Sequence, residues 1–423
     1  MRALLTLAWR SAWNRRATLS LVLLSVALST FLLLGFEQVR TDVRENFSQS
    51  VSGTDLVVGA RTGSVQLMLY AVFRVGSATN NIRISSVEAI AKHRAVAWVV
   101  PLSLGDSHKG YAVLGTTADY FSRFLYGDRE PLVLAQGRAF GDGIDGLYGA
   151  VLGAEVADAL GYRLGNKLTL THGAGGLPGA EHGDKPFTVV GILKRTGTPV
   201  DRTVHISLES MEAIHIDWAG GAPMPGVAIA PDQARKFDLR PKVVTAALVG
   251  LKGRAVFNVQ RFVADYADEP LMAVLPGVAL DELWDVVGVG EKALIGMSAM
   301  VGVVSLAGLV AVVMAGLNER RRELAVLRAV GAAPRHVLLL LAGEGLLVTL
   351  CGALIGMLAT GLFIALAAPW VQTHYGVNLK LSAPSQAQSL LFAAVVSAGA
   401  VASLIPAWRA YRLSLADGLS PRV

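Results

Sequence analysis

The sequence has few of the residues that usually build redox, nucleotide-binding or hydrolytic sites. Only one cysteine, Cys351, is present among 423 residues, so no disulfide framework can hold a domain together. No Gly-Lys pair occurs, which excludes the P-loop that binds nucleotide phosphates. A Gly-x-Ser-x-Gly elbow and a His-x-x-x-His pair are missing as well. We therefore predict no catalytic, cofactor-binding or metal-binding residue in this chain.

Charge is absent from four long apolar stretches. The 20 residues between Arg16 and Glu37 carry no charge, and neither do the 26 residues between Lys292 and Glu319. A helix of about 20 apolar residues crosses a hydrocarbon core of roughly 30 Å. We predict four transmembrane helices, at 17–36, 293–317, 338–368 and 385–406. A cleaved signal peptide is the alternative for the first helix, but its apolar run is long and no small-x-small site follows it before Glu37.

Arginines cluster at one set of helix ends. They are Arg2, Arg10, Arg15 and Arg16 before the first helix, Arg320, Arg321, Arg322, Arg328 and Arg335 between the second and third, and Arg409, Arg412 and Arg422 after the fourth. By the positive-inside rule these segments are cytoplasmic. Residues 37–292 hold 25 basic and 28 acidic residues (net −3), and the remainder holds 13 and 4 (net +9), for a total of +6. The net positive charge therefore reflects the membrane topology, and we predict no nucleic-acid partner.

The predicted topology divides the chain into nine segments and makes it a multi-pass protein of the bacterial inner membrane with both termini in the cytoplasm. Trp9 and Trp13 among arginines suit an amphipathic helix that contacts membrane lipids, although flanking residues of a signal anchor look similar. The segments are a cytoplasmic amphipathic segment 1–16, helix 17–36, a periplasmic domain 37–292, helix 293–317, a cytoplasmic segment 318–337, helix 338–368, a periplasmic loop 369–384, helix 385–406 and a cytoplasmic tail 407–423.

The large periplasmic segment is predicted to be an α+β domain of two lobes, inserted between the first and second transmembrane helices. Apolar runs bounded by turn residues indicate strands. Ser85 with Glu88 resembles a capping box that begins a helix ending near His93. Two further helices are predicted at Gly153–Leu160 and Ala255–Tyr266. The predicted strands are Asp55–Ala60, Ala95–Leu104, Tyr111–Gly115, Lys167–Thr171, Phe187–Leu193 and Val243–Leu251.

Histidines are scattered through this domain. His172 precedes the glycine-rich loop Gly173–Asp184 and His182 lies near its end, with Glu181 and Asp184 beside it. Imidazole and carboxylate groups could form a labile metal site there. The interpretation we favour is a solvated loop without a metal ion.

Several stretches carry a family resemblance. Residues 319–356 (ERRRELAVLRAVGAAPRHVLLLLAGEGLLVTLCGALIG) resemble the signature of MacB/FtsX-type ABC permeases, the type VII group that includes lipoprotein-releasing and macrolide-exporting systems. Residues 151–170 (VLGAEVADALGYRLGNKLTL) and 187–210 (FTVVGILKRTGTPVDRTVHISLES) are similar to the periplasmic domain of that group. Both ends of the chain, at 7–34 and 405–419, also fit the pattern. The resemblance implies a dimeric permease moved by a separate ATPase.

The resemblance gives the cytoplasmic segment 318–337 a role as the coupling segment. A partner ATPase subunit would press on it, with ATP and Mg²⁺ bound in that partner and no cofactor in this chain. Only sixteen residues precede the first predicted helix, unlike members with a fused amino-terminal ATPase domain. The second permease subunit could be identical or different, and a periplasmic partner protein is a further option. The expected coupling residues are Glu319, Arg320, Arg321, Arg322, Glu323, Leu324, Leu327, Arg328 and Gly331.

Two features fall inside the third predicted span. Glu344 lies eight residues past His336, or roughly 12 Å along a helix. A carboxyl group at that depth is expected to face the bundle or water, either as a structural partner or in a functional role. Gly352 and Gly356 form a Gly-x-x-x-Gly pair that allows close packing of helices, within the chain or between subunits.

Two functions follow from the sequence. The first is the permease of an ABC transporter, in which ATP hydrolysis in a partner subunit drives export, extraction from the outer leaflet, or force transmission. Four helices leave little room for a central pore, which favours force transmission. The second is a membrane-anchored sensor or scaffold that regulates an enzyme without transport. Substrate-stimulated ATPase activity would distinguish them.

Overall fold

The computed structural model describes residues 16–173, 181–219, 222–224, 226–253, 255–319, 329, 331–375 and 379–412. These residues separate into two compact units. The first, here called the helical unit, lies within Met1–Asp42, Val287–Trp370 and Leu379–Val423. The second, the α+β unit, lies within Val43–Val286 and Val371–Asn378.

Helices of the described residues differ sharply in length. Four are long and apolar, and the other helices are short and belong to the α+β unit. The α-helices are α1 (Arg16–Gln49), α2 (Ser64–Ala71), α3 (Ile84–Ala91), α4 (Asp119–Arg123), α5 (Ala154–Leu160), α6 (Leu208–His215), α7 (Pro231–Ala234), α8 (Val256–Ala264), α9 (Pro276–Glu319), α10 (Pro334–Tyr375) and α11 (Gln386–Arg412), with 3-10 turns at Gly143–Gly146 and Pro199–Arg202.

Four of the described helices are long and apolar enough to cross a membrane. Their candidate spans are Leu19–Glu45, Gly288–Ala315, Pro334–Gln372 and Gln386–Arg409. The α+β unit is inserted between the first and second of them, so the predicted fold class is confirmed. The predicted membrane boundaries stay predictions, because a helix of sufficient length does not by itself fix where a bilayer begins.

The α+β unit is built on one mixed sheet. Among the described residues this sheet has eleven strands, and its main path runs β17-β1-β16-β3-β4-β12-β8-β11-β7. β10 pairs with β3 and β9 with β11. The pairs β11–β8 and β12–β4 are parallel, and the other pairs in this sheet are antiparallel. The division into two lobes stays a prediction.

The strands are short apart from β3. They are β1 (Leu56–Ala60), β2 (Ile82–Arg83), β3 (Val96–His108), β4 (Tyr111–Thr116), β5 (Leu125–Tyr126), β6 (Glu130–Pro131), β7 (Leu134–Gly137), β8 (Gly149–Leu152), β9 (Lys167–Leu168), β10 (Thr171–His172), β11 (Phe187–Leu193), β12 (Thr203–Ser207), β13 (Trp218–Ala219), β14 (Ala222–Pro223), β15 (Val243–Val244), β16 (Ala246–Leu251) and β17 (Leu271–Val274).

Two predicted strands are wrong as continuous elements. Lys167–Thr171 is broken into β9 and β10, because β9 pairs with β11 whereas β10 pairs with β3. Val243–Leu251 is broken at Thr245, where β15 pairs with β2 and β16 joins the main sheet. The hydroxyl of Thr245 accepts a hydrogen bond from the Leu104 amide, so the break is also held by a side chain.

The predicted capping box is wrong. Helix α3 begins at Ile84, one residue before Ser85, and its N-cap is Arg83 without a side-chain cap. Glu269 serves this helix end instead, since its carboxylate accepts hydrogen bonds from the Arg83 amide and the Ser86 hydroxyl. The helix at 153–160 is confirmed, with Gly161 as its C-cap at φ +68°. This left-handed conformation favours glycine.

Candidate functional site

The coupling segment lies largely outside the described residues. Helix α9 ends at Glu319, Gly331 has a φ of +102°, and Pro334 begins α10. A proline at a first helical position suits a helix start, because the amide it lacks has no partner within the helix there. The assigned coupling roles of Glu319 and Gly331 stay predictions. The predicted coupling residues outside the described part of the chain are Arg320, Arg321, Arg322, Glu323, Leu324, Leu327 and Arg328.

Glu344 and the glycine pair lie on the same helix, α10. Glu344 is half-buried there, and its functional role stays a prediction. A Cβ atom on Gly352 would lie 3.0 Å from the Leu23 carbonyl oxygen of α1. A Cβ on Gly356 would lie 2.7 Å from Cβ of Thr30, also on α1, and closer still to the Ala27 carbonyl oxygen. The glycine pair therefore packs α10 against α1 of the same chain, and it gives no support to a contact between subunits.

A cavity of about 350 Å³ lies in the helical unit between α1, α10 and α11. Its wall is mostly apolar, and a polar network lies at its edge. Gln388 donates a hydrogen bond to Oε1 of Gln38 at 2.8 Å, and Gln38 donates to Asp42 at 3.1 Å. The backbone amide of Lys380 donates to Asp42 at 3.2 Å. The apolar lining residues include Leu34, Leu354, Met357, Ile364 and Phe392.

The α+β unit brings together four side chains with metal-binding chemistry, here called the histidine cluster: Asp106, His172, His182 and His215. The β3–β10 register places His172 opposite Asp106. Helix α6 places His215 in its last turn, and Ser207 caps the start of that helix by accepting a hydrogen bond from the Ser210 amide. His182 is held by its own backbone, whose amide donates to the Leu170 carbonyl at 2.8 Å.

The ligand atoms of the histidine cluster are close together. Oδ1 of Asp106 lies 3.0 Å from Nδ1 of His172 and 3.5 Å from Nε2 of His215. These two ring nitrogens are 3.0 Å apart. With a ring nitrogen of His182 included, all four ligand atoms lie within 4.8 Å of one another.

Burial shapes the electrostatics of the cluster. The side chain of Asp106 and the whole of His182 are 0% exposed, whereas His172 and His215 are partly exposed. Burial, reinforced by the neighbouring His215, lowers the pKa of His182 to about 4. Burial opposes the charged form of His215 as well, but its contact with Asp106 outweighs this effect and raises its pKa. The buried carboxylate of Asp106 thus favours the charged form of the His215 ring.

The sequence identifies only part of this arrangement. It pairs His172 and His182, but it offers Glu181 and Asp184 as their carboxylates. The structure leaves Glu181 exposed and turns Asp184 toward Lys185, with 2.8 Å between Oδ2 and Nζ. The predicted solvated loop is wrong for His182, which is fully buried. Asp106 and His215 carry no local motif, so only the long-range pairing of β10 with β3 and the packing of α6 could reveal them.

Two family models match the sequence, and together they cover most of it. The model "MacB-like periplasmic core domain" matches residues 17–235, and the model "FtsX-like permease C-terminal" matches residues 295–415. The first match alone covers more than half of the 423 residues. The chain belongs to the MacB/FtsX-type ABC permeases. It is a permease subunit of an ABC transporter, as the resemblance implied, and family membership fits a non-enzymatic, multi-pass subunit.

Two similar solved structures each match about half of this permease. The periplasmic region of MacB from Actinobacillus actinomycetemcomitans is 12% identical, with a TM-score of 0.35, over 55% of this permease and 94% of that chain. The extracellular domain of the noncanonic ABC-type transporter YknZ from Gram-positive bacteria is also 12% identical, with a TM-score of 0.31, over 52% of this permease and 99% of that chain. No curated protein matches the permease significantly. The family assignment rests on the two family models.

Proposed function

We propose that this permease transmits the energy of ATP hydrolysis, carried out by a separate ATPase subunit, to its α+β unit on the other side of the membrane. The observation that carries the proposal is the presence in one chain of a MacB-like periplasmic core at 17–235 and an FtsX-like carboxyl-terminal half at 295–415. The ATPase binds the coupling segment, a second permease subunit completes the transporter, and both termini are cytoplasmic. The arginine distribution supports this orientation.

Packing within the helical unit supports force transmission rather than conduction through one chain. Helix α10 contacts α1 at Gly352 and Gly356, and it contacts α11 where Gly345 meets Ser403. Thr349 of α10 likewise meets Gly399 of α11. Small residues at such positions let helix backbones approach closely. At these contacts no space remains for a water-filled path between the helices, so they are suited to move as packed elements.

The cavity beside Gln38 supports a substrate from the outer leaflet. Its wall is formed by Leu34, Met357 and Phe392, among others, and Gln38, Gln388 and Lys380 line its polar edge. An amphiphilic molecule with an apolar chain and a polar head has matching chemistry. We therefore propose that the substrate is an amphiphile extracted from the outer leaflet.

The coupling proposal is tested by changing Leu324 and Leu327 to Ser, singly and together. These changes keep every arginine of the positive-inside signal and remove apolar contact area worth roughly 1.5–3 kcal/mol per fully buried side chain. We expect the double variant to insert normally, to co-purify with less ATPase subunit and to lose most substrate-stimulated ATP turnover. Membrane yield, stoichiometry and turnover in proteoliposomes provide the readout.

Leu164→Ser is the matched control, because Leu164 is an exposed leucine of the α+β unit at 42% exposure. It should leave ATPase binding and turnover at wild-type values. Wild-type stoichiometry and full turnover in the double variant would show that the coupling segment is not the contact surface. If no amphiphile tested changes the rate of ATP turnover of the wild-type complex, the sensor or scaffold function is favoured.

A further inference from the structure

We propose that Asp106, His172, His182 and His215 form a binding site for one divalent transition-metal ion, with Zn²⁺ as the ion that fits best. The site is independent of the proposed ATP coupling, because it rests only on side chains within the α+β unit. Three imidazoles and one carboxylate form a donor set typical of zinc. Calcium and magnesium prefer oxygen ligands, so a set dominated by nitrogen disfavours them.

The distances among Asp106, His172 and His215 match three ligands of a tetrahedral ion. Zinc bonds of about 2.0–2.1 Å place neighbouring ligand atoms ~3.3–3.4 Å apart at the tetrahedral angle. The three separations among Asp106, His172 and His215 are 3.0, 3.0 and 3.5 Å. They form one triangular face of such a tetrahedron. His182 lies within 4.8 Å of the other ligands, so its ring must move inward by roughly an ångström or more to bind.

A hydrogen bond to a residue outside the cluster orients the His215 ring so that Nε2 can bind an ion. Nδ1 of His215 lies 2.8 Å from the Met211 carbonyl oxygen, to which it donates its hydrogen. In the neutral ring this leaves the lone pair of Nε2 directed at the cluster. Histidine ligands of metals are usually fixed in this way by a second hydrogen bond from the other nitrogen. The carboxylate of Asp106 supplies the negative charge that a divalent ion would partly neutralise.

Hydrogen bonding alone leaves the cluster unsatisfied. Neither ring nitrogen of the fully buried His182 has a hydrogen-bond partner among the described residues, and neither does Oδ2 of Asp106. A buried polar group without a hydrogen-bond partner destabilises the folded protein. A structural network of histidines would be expected to satisfy its most buried member. A metal ion within reach of His182 removes this deficit at one nitrogen and also screens the close nitrogens of His172 and His215.

Neighbouring side chains pack on the rings, and two of the rings remain partly exposed to solvent. The ring of Trp218 packs on His182, with 4.3 Å between centroids. The side chains of His172 and His215 are partly exposed and give an ion a route of entry. Four protein ligands would fill a tetrahedral zinc ion, which is typical of a structural site. The bound ion would tie β3, β10 and the end of α6 together.

The test is metal binding by the full-length permease, purified without a polyhistidine tag and stripped with a chelator. Titration with Zn²⁺ against a chromophoric competitor should give one ion per chain. Co²⁺ should give the intense visible absorption of a tetrahedral site. In His182→Ala and His215→Ala, the affinity should fall by more than ~100-fold, beyond the 10–100-fold typical of changes outside the ligand shell. His93→Gln, in the same domain but outside the cluster, should keep wild-type affinity.

Folding is monitored separately, by thermal unfolding in the presence of chelator. Zn²⁺ should raise the unfolding temperature of the wild type and of His93→Gln, and it should leave that of folded ligand variants unchanged. Less than one bound Zn²⁺ per wild-type chain would overturn the proposal, as would wild-type affinity in folded His182→Ala and His215→Ala. If the ligand variants do not fold, the wild-type Co²⁺ spectrum decides, and a weak octahedral spectrum would reject the site.

Discussion

At the scale of single residues, the α+β unit buries charge that a sequence would place on the surface. Lys185 is fully buried, and its Nζ donates hydrogen bonds to both carboxylate oxygens of Asp217 at 2.8 Å. Burial alone would raise the pKa of Asp217, but the hydrogen bonds from Lys185 and the Ile229 amide lower it instead. Because each charge is desolvated, each depends on the other.

This pair yields a stability prediction. Lys185→Ala leaves the Asp217 carboxylate buried without its counter-charge, a type of change that typically costs about 3–5 kcal/mol. The double variant Lys185→Met with Asp217→Leu should be more stable than the single variant, because it leaves no unpaired charge. Urea unfolding of the solubilised full-length chain, followed by tryptophan fluorescence, measures both free energies.

The exposed pair Arg44–Asp281 is the control for this experiment. Its side chains are 53% and 76% exposed, so Asp281→Asn should change the free energy of unfolding by no more than about 1 kcal/mol. A loss below about 1 kcal/mol in Lys185→Ala as well would contradict the interpretation of the buried pair.

Only part of the histidine cluster can be predicted from the sequence. His172 and His182 are close in sequence, so their proximity could be expected from the loop that joins them. His215 is 43 residues from His172, and Asp106 is 66 residues from it. Their meeting depends on strand register and helix docking, which no local pattern encodes. The sequence therefore identifies His172 and His182, two of the four cluster residues. It offers Glu181 and Asp184 as carboxylates, whereas the carboxylate of the cluster belongs to Asp106.

At the scale of elements, long or strongly periodic segments are predictable. The strand at Phe187–Leu193 and the helix that ends at Leu160 follow the prediction. β8 is missed, because this short strand is buried along its whole length and shows no alternation of apolar and polar residues. β12 is missed although its sequence does alternate polar and apolar residues; it is buried along its whole length as well. The sequence predicts a single strand where the structure has β15 and β16, since the chain changes its pairing partner within an otherwise apolar stretch.

The contact between α1 and α10 gives an element-level prediction. In Gly356→Ala the added Cβ would lie 2.7 Å from Cβ of Thr30, so the helices must separate or shift. Overpacking of this kind typically costs about 1–3 kcal/mol. We expect the thermal unfolding temperature of the solubilised permease to fall, as measured by a fluorescence melt.

Gly343→Ala tests the same substitution on the same helix, where a new Cβ meets nothing within 4 Å. It should leave the unfolding temperature unchanged or raise it slightly, since alanine is the better helix former. Equal melting of both variants and the wild type would contradict the close contact between α1 and α10.

At the scale of the whole molecule, the sequence predicts the membrane architecture well. The length of uncharged stretches and the placement of arginines are set by the bilayer, so they can be recognised without knowledge of the tertiary structure. The four apolar helices and the inserted α+β unit of the structure agree with the predicted architecture. Orientation, subunit composition and the ATPase contact depend on the membrane and on partner chains, and these stay proposals that the family assignment supports.

In the proposed function, ATP hydrolysis in a partner subunit changes the conformation of the α+β unit. Hydrogen–deuterium exchange of the permease–ATPase complex in proteoliposomes, with and without ATP, measures this most directly. We expect peptides from residues 43–286 to change their exchange when ATP is turned over. The change should be absent with a hydrolysis-deficient ATPase subunit and reduced in the Leu324→Ser, Leu327→Ser double variant. Unchanged exchange throughout 43–286 during full ATP turnover would show that hydrolysis does not act on the α+β unit.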